Sequence, residues 1–136
     1  MSNSVEDFTS QLHDNTIQSY FVDFTNGILK MDTYWENNEY ATIEFTGLLA
    51  HKFENVLASN IIFTLYQTTT QTFIEKEKEY LSESLKYGFP SMRARNCDEL
   101  SKELEKEQYK IFYFDSSLGL FGYVISKDIN IIINTK

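Results

Sequence analysis

Apolar and polar residues alternate along two short stretches near the start of the chain, 17–24 and 28–35, and this pattern predicts two β-strands. The pair Asn26-Gly27 lies between them, and an Asn-Gly pair favours the tight two-residue turn of a β-hairpin. That turn would pair Phe24 with Leu29, which places the apolar side chains of both strands on one face. The sequence therefore predicts a hairpin with one buried face and one polar face.

The pattern of the remaining chain predicts further strands separated by two groups of helices. Strands are expected at 40–49, 60–67, 109–114, 119–125 and 128–133. Helices are expected at 4–15, at 71–87 and from Asn96 onward, and residues 50–58 are expected to form a turn or a short helical stretch. The order is helix, four strands, two helices, three strands. Grouped strands favour an α+β fold with a mainly antiparallel sheet packed against helices, in a single domain spanning 1–136.

Composition and charge add a view of the surface. The chain has 136 residues, of which 42% are hydrophobic, and its 11 Phe, 9 Tyr and 1 Trp can build a dense core or, as an alternative, an aromatic binding surface. The net charge is −8, and residues 1–70 hold nine acids and two bases. An acidic surface repels phosphate groups and anionic lipids, so we expect neither nucleic-acid binding nor membrane binding.

Few residues are available for metal or redox chemistry. Cys97 is the only cysteine and the chain has two histidines, so we expect no disulfide within the chain, no metal centre and no cofactor. The first ten residues lack the basic and apolar segments of a signal peptide, and no stretch reaches the ~18 apolar residues of a membrane span. These features predict a cytoplasmic location.

Two polar clusters are candidates for a site. His51, Glu54 and Asn55 would come together if their segment is helical, and the carboxylate could then orient the imidazole as the general base of a hydrolase-like enzyme. The alternative is that Glu54 and Asn55 satisfy backbone groups while His51 packs. Because no nucleophile lies nearby in sequence, we expect no enzymatic activity.

The second cluster, Asp115-Ser116-Ser117, follows a strongly apolar stretch and precedes Gly119. Asp and Ser side chains bond nearby backbone groups, which favours a turn, and a ligand-binding loop is the alternative.

Two blocks of the sequence resemble a group of known proteins. They are residues 45–56 (FTGLLAHKFENV) and 113–127 (YFDSSLGLFGYVISK). The chain is similar there to small uncharacterised proteins of Bacillus-type bacteria, some of which are encoded beside polymorphic toxins and are suspected immunity proteins. The resemblance implies a role in neutralising a toxin, and it assigns no catalytic residue to this chain.

The leading hypothesis is therefore a non-catalytic protein-binding module whose acidic face binds a basic protein such as a toxin domain. The acids expected on that face are Asp23, Asp32, Glu36, Glu39 and Glu44. One alternative is a small-ligand-binding domain with a pocket between sheet and helices, lined by Trp35, Tyr66 and Tyr113. The oligomeric state is open, because an edge strand at 128–133 could pair with a second copy.

Overall fold

The computed structural model describes residues 5–36 and 39–135 of the chain. Within these ranges eight strands form one antiparallel sheet: β1 (Thr16–Asp23), β2 (Ile28–Trp35), β3 (Glu39–Thr46), β4 (Ala50–Glu54), β5 (Ile61–Thr68), β6 (Lys110–Leu118), β7 (Phe121–Ser126) and β8 (Asp128–Thr135). The helices are α1 (Thr9–Leu12), α2 (Thr70–Ser84), which continues into a 3₁₀ turn at Leu85–Tyr87, and α3 (Cys97–Lys106). The predicted α+β class with an antiparallel sheet is confirmed, with five strands rather than four before the long helices.

The sheet is bent into two half-sheets. Its strand order is β4-β7-β6-β5-β1-β2-β3-β8, and β1 meets β5 at one pair only, Thr16 with Ile61. We call β1, β2, β3 and β8 the first half-sheet, and β4, β5, β6 and β7 the second. Lys127 alone joins β7 to β8 at the far edge of the sheet, so the sheet must fold back on itself. The N–H of Lys127 donates to the carbonyl oxygen of Thr46 at 3.0 Å and closes this corner.

One hydrophobic core lies between the two half-sheets. The ring of Phe45 in the first half-sheet lies 5.5 Å from that of Phe112 and 6.1 Å from that of Phe114 in the second. Leu29, Met31, Ile43 and Leu65 are fully buried in the same core. Each such side chain contributes about 1.5–3 kcal/mol by leaving water, so this core is a major source of stability.

A second core lies between the second half-sheet and the helices. Alternate residues of β6 and β7 face this side, and the ring of Phe73 from α2 packs against Tyr113 and Tyr123. Leu81, Leu100 and Leu104 complete it from the helices. The molecule thus has three layers, and the second half-sheet is shared by both cores because successive side chains of a strand point to opposite faces.

The opening hairpin forms, but its turn is longer than predicted. The turn covers residues 24–27, and β1 pairs with β2 so that Val22 lies opposite Leu29. The carboxylate of Asp23 accepts from the backbone N–H of Asn26 at 3.1 Å and from its side-chain amide at 2.7 Å, which stabilises the wider turn. The prediction of a two-residue turn was wrong, and Phe24, expected on the buried face, lies in the turn and is 83% exposed.

Residues 50–58 were also predicted wrongly. The segment contains a strand, β4, which pairs with β7 from Ala50 opposite Ile125 to Glu54 opposite Phe121. Gly122 makes this pairing possible, because a Cβ at that position would collide with the carbonyl oxygen of Lys52. The pairing partner lies about seventy residues away along the chain, so local residue preferences did not reveal it.

The N-terminal helix is much shorter than predicted. The expectation was a helix over 4–15, whereas α1 spans four residues, and residue 4 lies outside the described residues. The backbone before α1 pairs with β5 instead, since the N–H of Phe8 donates to the carbonyl oxygen of Leu65 at 2.8 Å. Asp14 at φ +70° then turns the chain into β1.

The two long helices lie where the sequence predicts them. α3 begins after Asn96, whose side-chain oxygen accepts from the N–H of Glu99 at 2.9 Å, as expected for a helix cap. Gly88 follows the 3₁₀ turn in the left-handed conformation. Among the described residues, no helix combines the length and the apolar character that crossing a membrane would need.

Candidate functional site

Two of the predicted acids share the outer face of the first half-sheet. Glu44 lies opposite Lys30, and Asp32 lies opposite Thr42, whose hydroxyl donates to the Asp32 carboxylate at 2.8 Å. Lys30 therefore lies on the same strand as Asp32 and directly opposite Glu44. This outer face is mixed in charge rather than uniformly negative.

The other three acids lie at the two ends of the strands. Asp23 is at the turn before β2, where hydrogen bonds from the side chain and then the backbone of Asn26 lower its pKa. Glu36 and Glu39 lie at the opposite end, beside residues 37–38. β2 has eight residues, and at ~3.3 Å per residue its ends are about 25 Å apart. The structure therefore does not bring the five acids into one patch.

A cleft opens at the corner where the half-sheets separate. Because β1 and β5 pair only where Thr16 meets Ile61, the strands diverge from that point and leave a cavity of about 850 Å³. We call it the corner cleft. It is lined by Asp14, Thr16, Ile17, Gln18, Tyr34, Trp35, Glu36, Tyr40, Ala58, Ser59 and Ile61.

The lining of the corner cleft combines aromatic rings with carboxylates. Tyr34 and Trp35 are 40% and 41% exposed, and the rings of Tyr34 and Tyr40 lie 6.4 Å apart. Asp14 and Glu36 are the charged residues among the described lining residues, which include no lysine or arginine. The imidazole of His13 lies 3.5 Å from the Asp14 carboxylate. This combination is suited to a cationic group, because ring faces and carboxylates both attract positive charge.

Buried polar residues support the cleft from below. The side-chain amide of Asn15 donates to the hydroxyl of Thr33 at 3.0 Å, and that hydroxyl donates to the carbonyl oxygen of Ala41 at 2.8 Å. Both Asn15 and Thr33 are buried. A buried network with its bonds made holds strands β1, β2 and β3 in place, so the cleft wall is formed before any ligand arrives.

Compared with protein-family models, curated proteins and solved structures, the chain matched none of them. What it binds must therefore be argued from its own geometry.

The His51 cluster does not form the predicted arrangement. His51 and Glu54 are three residues apart on strand β4, so their side chains point to opposite faces of the sheet. The ring of His51 lies 5.3 Å from that of Phe53 on the inner face, and burial lowers the pKa of His51. Glu54 binds the ammonium of Lys52 at 2.7 Å, and Asn55 follows the strand at φ +56°.

Asp115, Ser116 and Ser117 belong to strand β6 rather than to a turn. The carboxylate of Asp115 accepts from the hydroxyl of Thr64 on the neighbouring strand at 3.0 Å. The hydroxyl of Ser116 donates to the carbonyl oxygen of Gly119 at 2.9 Å, and Ser117 is exposed. The predicted turn was wrong because pairing with β5 extends the strand past the residues that locally favour a turn.

The three aromatic residues of the predicted ligand pocket are not neighbours. Tyr66 and Tyr113 stack with ring centroids 5.9 Å apart on the helix side of the second half-sheet. Trp35 lies in the corner cleft. Within the described residues the structure also contains no group of three acids, histidines or cysteines arranged to hold a metal ion.

Reasoning from sequence missed most of the cleft. Of its aromatic and charged lining, Trp35 and Glu36 were singled out, whereas Asp14, Tyr34 and Tyr40 were not. The sequence did contain one indication of the cleft, because Tyr34, Trp35 and Tyr40 lie close together along the chain, on either side of residues 36–39. The other wall comes from residues 58–61, and only the meeting of β1 with β5 brings that wall to the turn.

Proposed function

We propose that this chain is a non-catalytic protein-binding module that holds a basic segment of a partner protein in the corner cleft. The observation that carries the proposal is the lining of the cleft, where three aromatic residues and two acidic residues occur with no lysine or arginine among the described lining residues. Such a role fits the suspected immunity proteins among the uncharacterised group that the sequence resembles, with a basic toxin domain as the partner.

Charge and aromatic character together favour a cationic side chain as the bound group. An ammonium or guanidinium group over a tyrosine or tryptophan ring gains about 0.5–1 kcal/mol at an exposed site and about 2 kcal/mol when water is excluded. The carboxylates of Asp14 and Glu36 add attraction that steers a basic partner toward the cleft. Arginine is the preferred occupant, because its planar group stacks on rings and binds carboxylates with two hydrogen bonds.

The size of the cleft supports a peptide segment rather than a single ion. A volume of about 850 Å³ has room for several side chains. Tyr34 and Trp35 are partly exposed at the end of their strand and therefore reachable by another protein. Exposed tryptophan and tyrosine residues are among the side chains that contribute most to protein interfaces.

The first prediction concerns the cleft residues. A short arginine-rich peptide titrated into ¹⁵N-labelled protein should shift the amide signals of residues 16–18, 34–36 and 58–61. Trp35→Ala should weaken peptide binding by about 3- to 30-fold, which corresponds to the loss of one ring–cation contact. Glu36→Gln should weaken it less and should reduce its dependence on salt.

Matched variants separate the cleft from general negative charge. Trp35→Phe keeps a ring and should keep most of the affinity, and Glu105→Gln on the exposed face of α3 should change little. Asp32→Asn and Glu44→Gln test the outer face of the first half-sheet. If these two variants weaken binding as much as the cleft variants do, or if Trp35→Ala has no effect, the proposal fails. The same variants can be used to test the binding of any basic protein that a neighbouring gene encodes.

A further inference from the structure

Strand β8 is an open edge of the sheet. It pairs with β3 over all eight of its residues, and no other described strand lies on its far side. Ile132 and Ile133 are 43% and 54% exposed. An edge strand presents unpaired N–H and C=O groups, which can extend the sheet into another molecule.

The opposite edge of the sheet shows how such an edge is normally protected. β4 has five residues and carries Lys52 and Glu54, and short strands with charged side chains resist pairing with other chains. β8 is longer and has no charged residue from Ile129 to Asn134. The two edges of this sheet therefore differ in whether they can accept a further strand.

The five central residues of β8 read the same in both directions around Ile132. Residues 130–134 are Asn, Ile, Ile, Ile and Asn. In an antiparallel pair of identical strands with a two-fold axis at Ile132, residue 130 meets residue 134 of the other copy and residue 131 meets residue 133. Isoleucine then meets isoleucine and asparagine meets asparagine, so the strand is complementary to itself.

We propose that two copies of this chain associate through β8 to form a symmetric dimer with a continuous antiparallel sheet, centred on Ile132. A two-fold interface requires a surface that complements itself, and a palindromic strand meets that requirement. The pairing also places the outer and inner faces of one sheet beside the same faces of the other. Asn130, Ile132 and Asn134 point outward in both copies, while Ile131 and Ile133 lie on the side of the core.

The charge of the chain favours a second copy of this chain, rather than a basic protein, as the molecule that pairs with β8. The chain has a net charge of −8, so two copies repel each other across most of their surfaces, and this uncharged strand is a place where they can meet. β8 offers a basic partner no carboxylate between Ile129 and Asn134. The resulting dimer would carry two corner clefts and could bind its basic partner at two points.

The second prediction is a reversible dimer. A strand pair of this length is a small interface, so we expect the monomer–dimer ratio to depend on protein concentration. Sedimentation equilibrium over a range of concentrations measures that ratio. Ile132→Lys should weaken the dimer by about tenfold or more, because it removes a branched pair and places two like charges opposite each other.

Two variants control this measurement. Phe21→Lys places the same charge on an exposed position of β1, whose edge is also unpaired beyond Thr16, and it should leave the dimer intact. An equal mixture of Ile132→Lys and Ile132→Glu should restore association, because residue 132 meets residue 132 of the other copy. A monomer at all concentrations, or a dimer lost on Phe21→Lys and kept on Ile132→Lys, would overturn the proposal.

Cysteine cross-linking tests the register directly. Opposed residues of antiparallel strands have Cα atoms about 4.5–5.5 Å apart, which is within disulfide range. In a Cys97→Ser background, Ile132→Cys alone should form a cross-linked dimer under mild oxidation. Asn130→Cys and Asn134→Cys should cross-link when mixed and not when oxidised separately. Cross-links formed by either variant alone would contradict the antiparallel register.

Discussion

Two neighbouring tyrosines of the second core differ in one hydrogen bond. The rings of Tyr113 and Tyr123 lie 5.6 Å apart, and both side chains are almost fully buried. The hydroxyl of Tyr113 donates to a carboxylate oxygen of Glu77 at 3.0 Å. The hydroxyl of Tyr123 is buried with no hydrogen-bond partner among the described residues. A buried unpaired hydroxyl costs about 1–3 kcal/mol, so the hydroxyl groups of the two tyrosines have opposite effects on stability.

The third prediction follows from this difference. Tyr123→Phe removes the unpaired hydroxyl and keeps the ring, so the free energy of unfolding at neutral pH should stay equal or rise by about 1 kcal/mol. Tyr113→Phe removes the hydroxyl that donates to the Glu77 carboxylate, and it should lower the free energy of unfolding by about 1.5–3 kcal/mol. Urea unfolding of both variants measures the two changes. A loss of stability in Tyr123→Phe as large as that in Tyr113→Phe would contradict the assignment.

Alkaline pH provides an independent readout of the same pair. Burial, followed by the nearby charge of Glu77, raises the pKa of both tyrosines far above the usual value near 10. A tyrosine whose pKa is raised by folding stabilises the protein below the pKa of the unfolded chain, and that stability is lost as the pH rises above it. The free energy of unfolding should therefore fall above pH ~10 by about 1.4 kcal/mol per pH unit for each buried tyrosine, and less steeply in either variant.

At the scale of elements, Asn60 joins the loop before β5 to the hairpin of β6 and β7. Its side-chain oxygen accepts from the N–H of Leu57 and from that of Leu120, both at 2.9 Å. Its amide donates to the carbonyl oxygen of Leu57 at 2.9 Å, and the residue is buried. One side chain thus pairs backbone groups of two segments that are sixty residues apart.

The fourth prediction is that Asn60→Ala lowers the free energy of unfolding by about 2–3 kcal/mol, because it leaves the buried N–H of Leu120 without a partner. Asn96→Ala, which removes the exposed cap of α3, should cost about 1 kcal/mol. Thermal and urea unfolding measure the loss of stability in each of the two variants. Equal losses would contradict the prediction that the link made by Asn60 stabilises the protein more than an exposed cap does.

Most strands and both long helices were predicted from local patterns, whereas β4 and the end of β6 were not. α3 was predicted to begin at Asn96, and in the structure the side chain of Asn96 caps this helix. The strand β4 was missed because its pairing with β7 is what makes it a strand. The predicted strand ended at residue 114, whereas β6 continues to Leu118, because its pairing with β5 continues through an irregular register and outweighs the local turn preference.

At the scale of the whole molecule, the second half-sheet couples the two cores. Phe112 and Phe114 of β6 point into the core between the half-sheets, while Ile111 and Tyr113 point to the helices. Removing either layer would expose one face of the same strands. We therefore expect both cores to unfold together.

The fifth prediction tests that coupling. Trp35, the only tryptophan, reports on the first half-sheet, and helical circular dichroism reports on the opposite layer. Their denaturant transitions should coincide. Leu29→Ala in the first core and Leu104→Ala in the second should each lower the free energy of unfolding by about 2–5 kcal/mol with both probes. Two separated transitions would show that the layers unfold independently.

The sequence by itself determined the class of the fold and the face on which most strand residues lie. The hairpin register moved by two residues because the turn widened, and a shift of two keeps Val22, Leu29 and Met31 on the predicted inward face. Helix caps and strand alternation are properties of neighbouring residues, and the sequence contains that information directly.

Tertiary structure alone decided where the half-sheets meet and what lies at their corner. The corner cleft exists because Thr16 pairs with Ile61 and the strands then separate, and this contact joins residues 45 positions apart. Which side chains share a surface depends on the path of the whole chain, and the pattern of neighbouring residues does not determine that path.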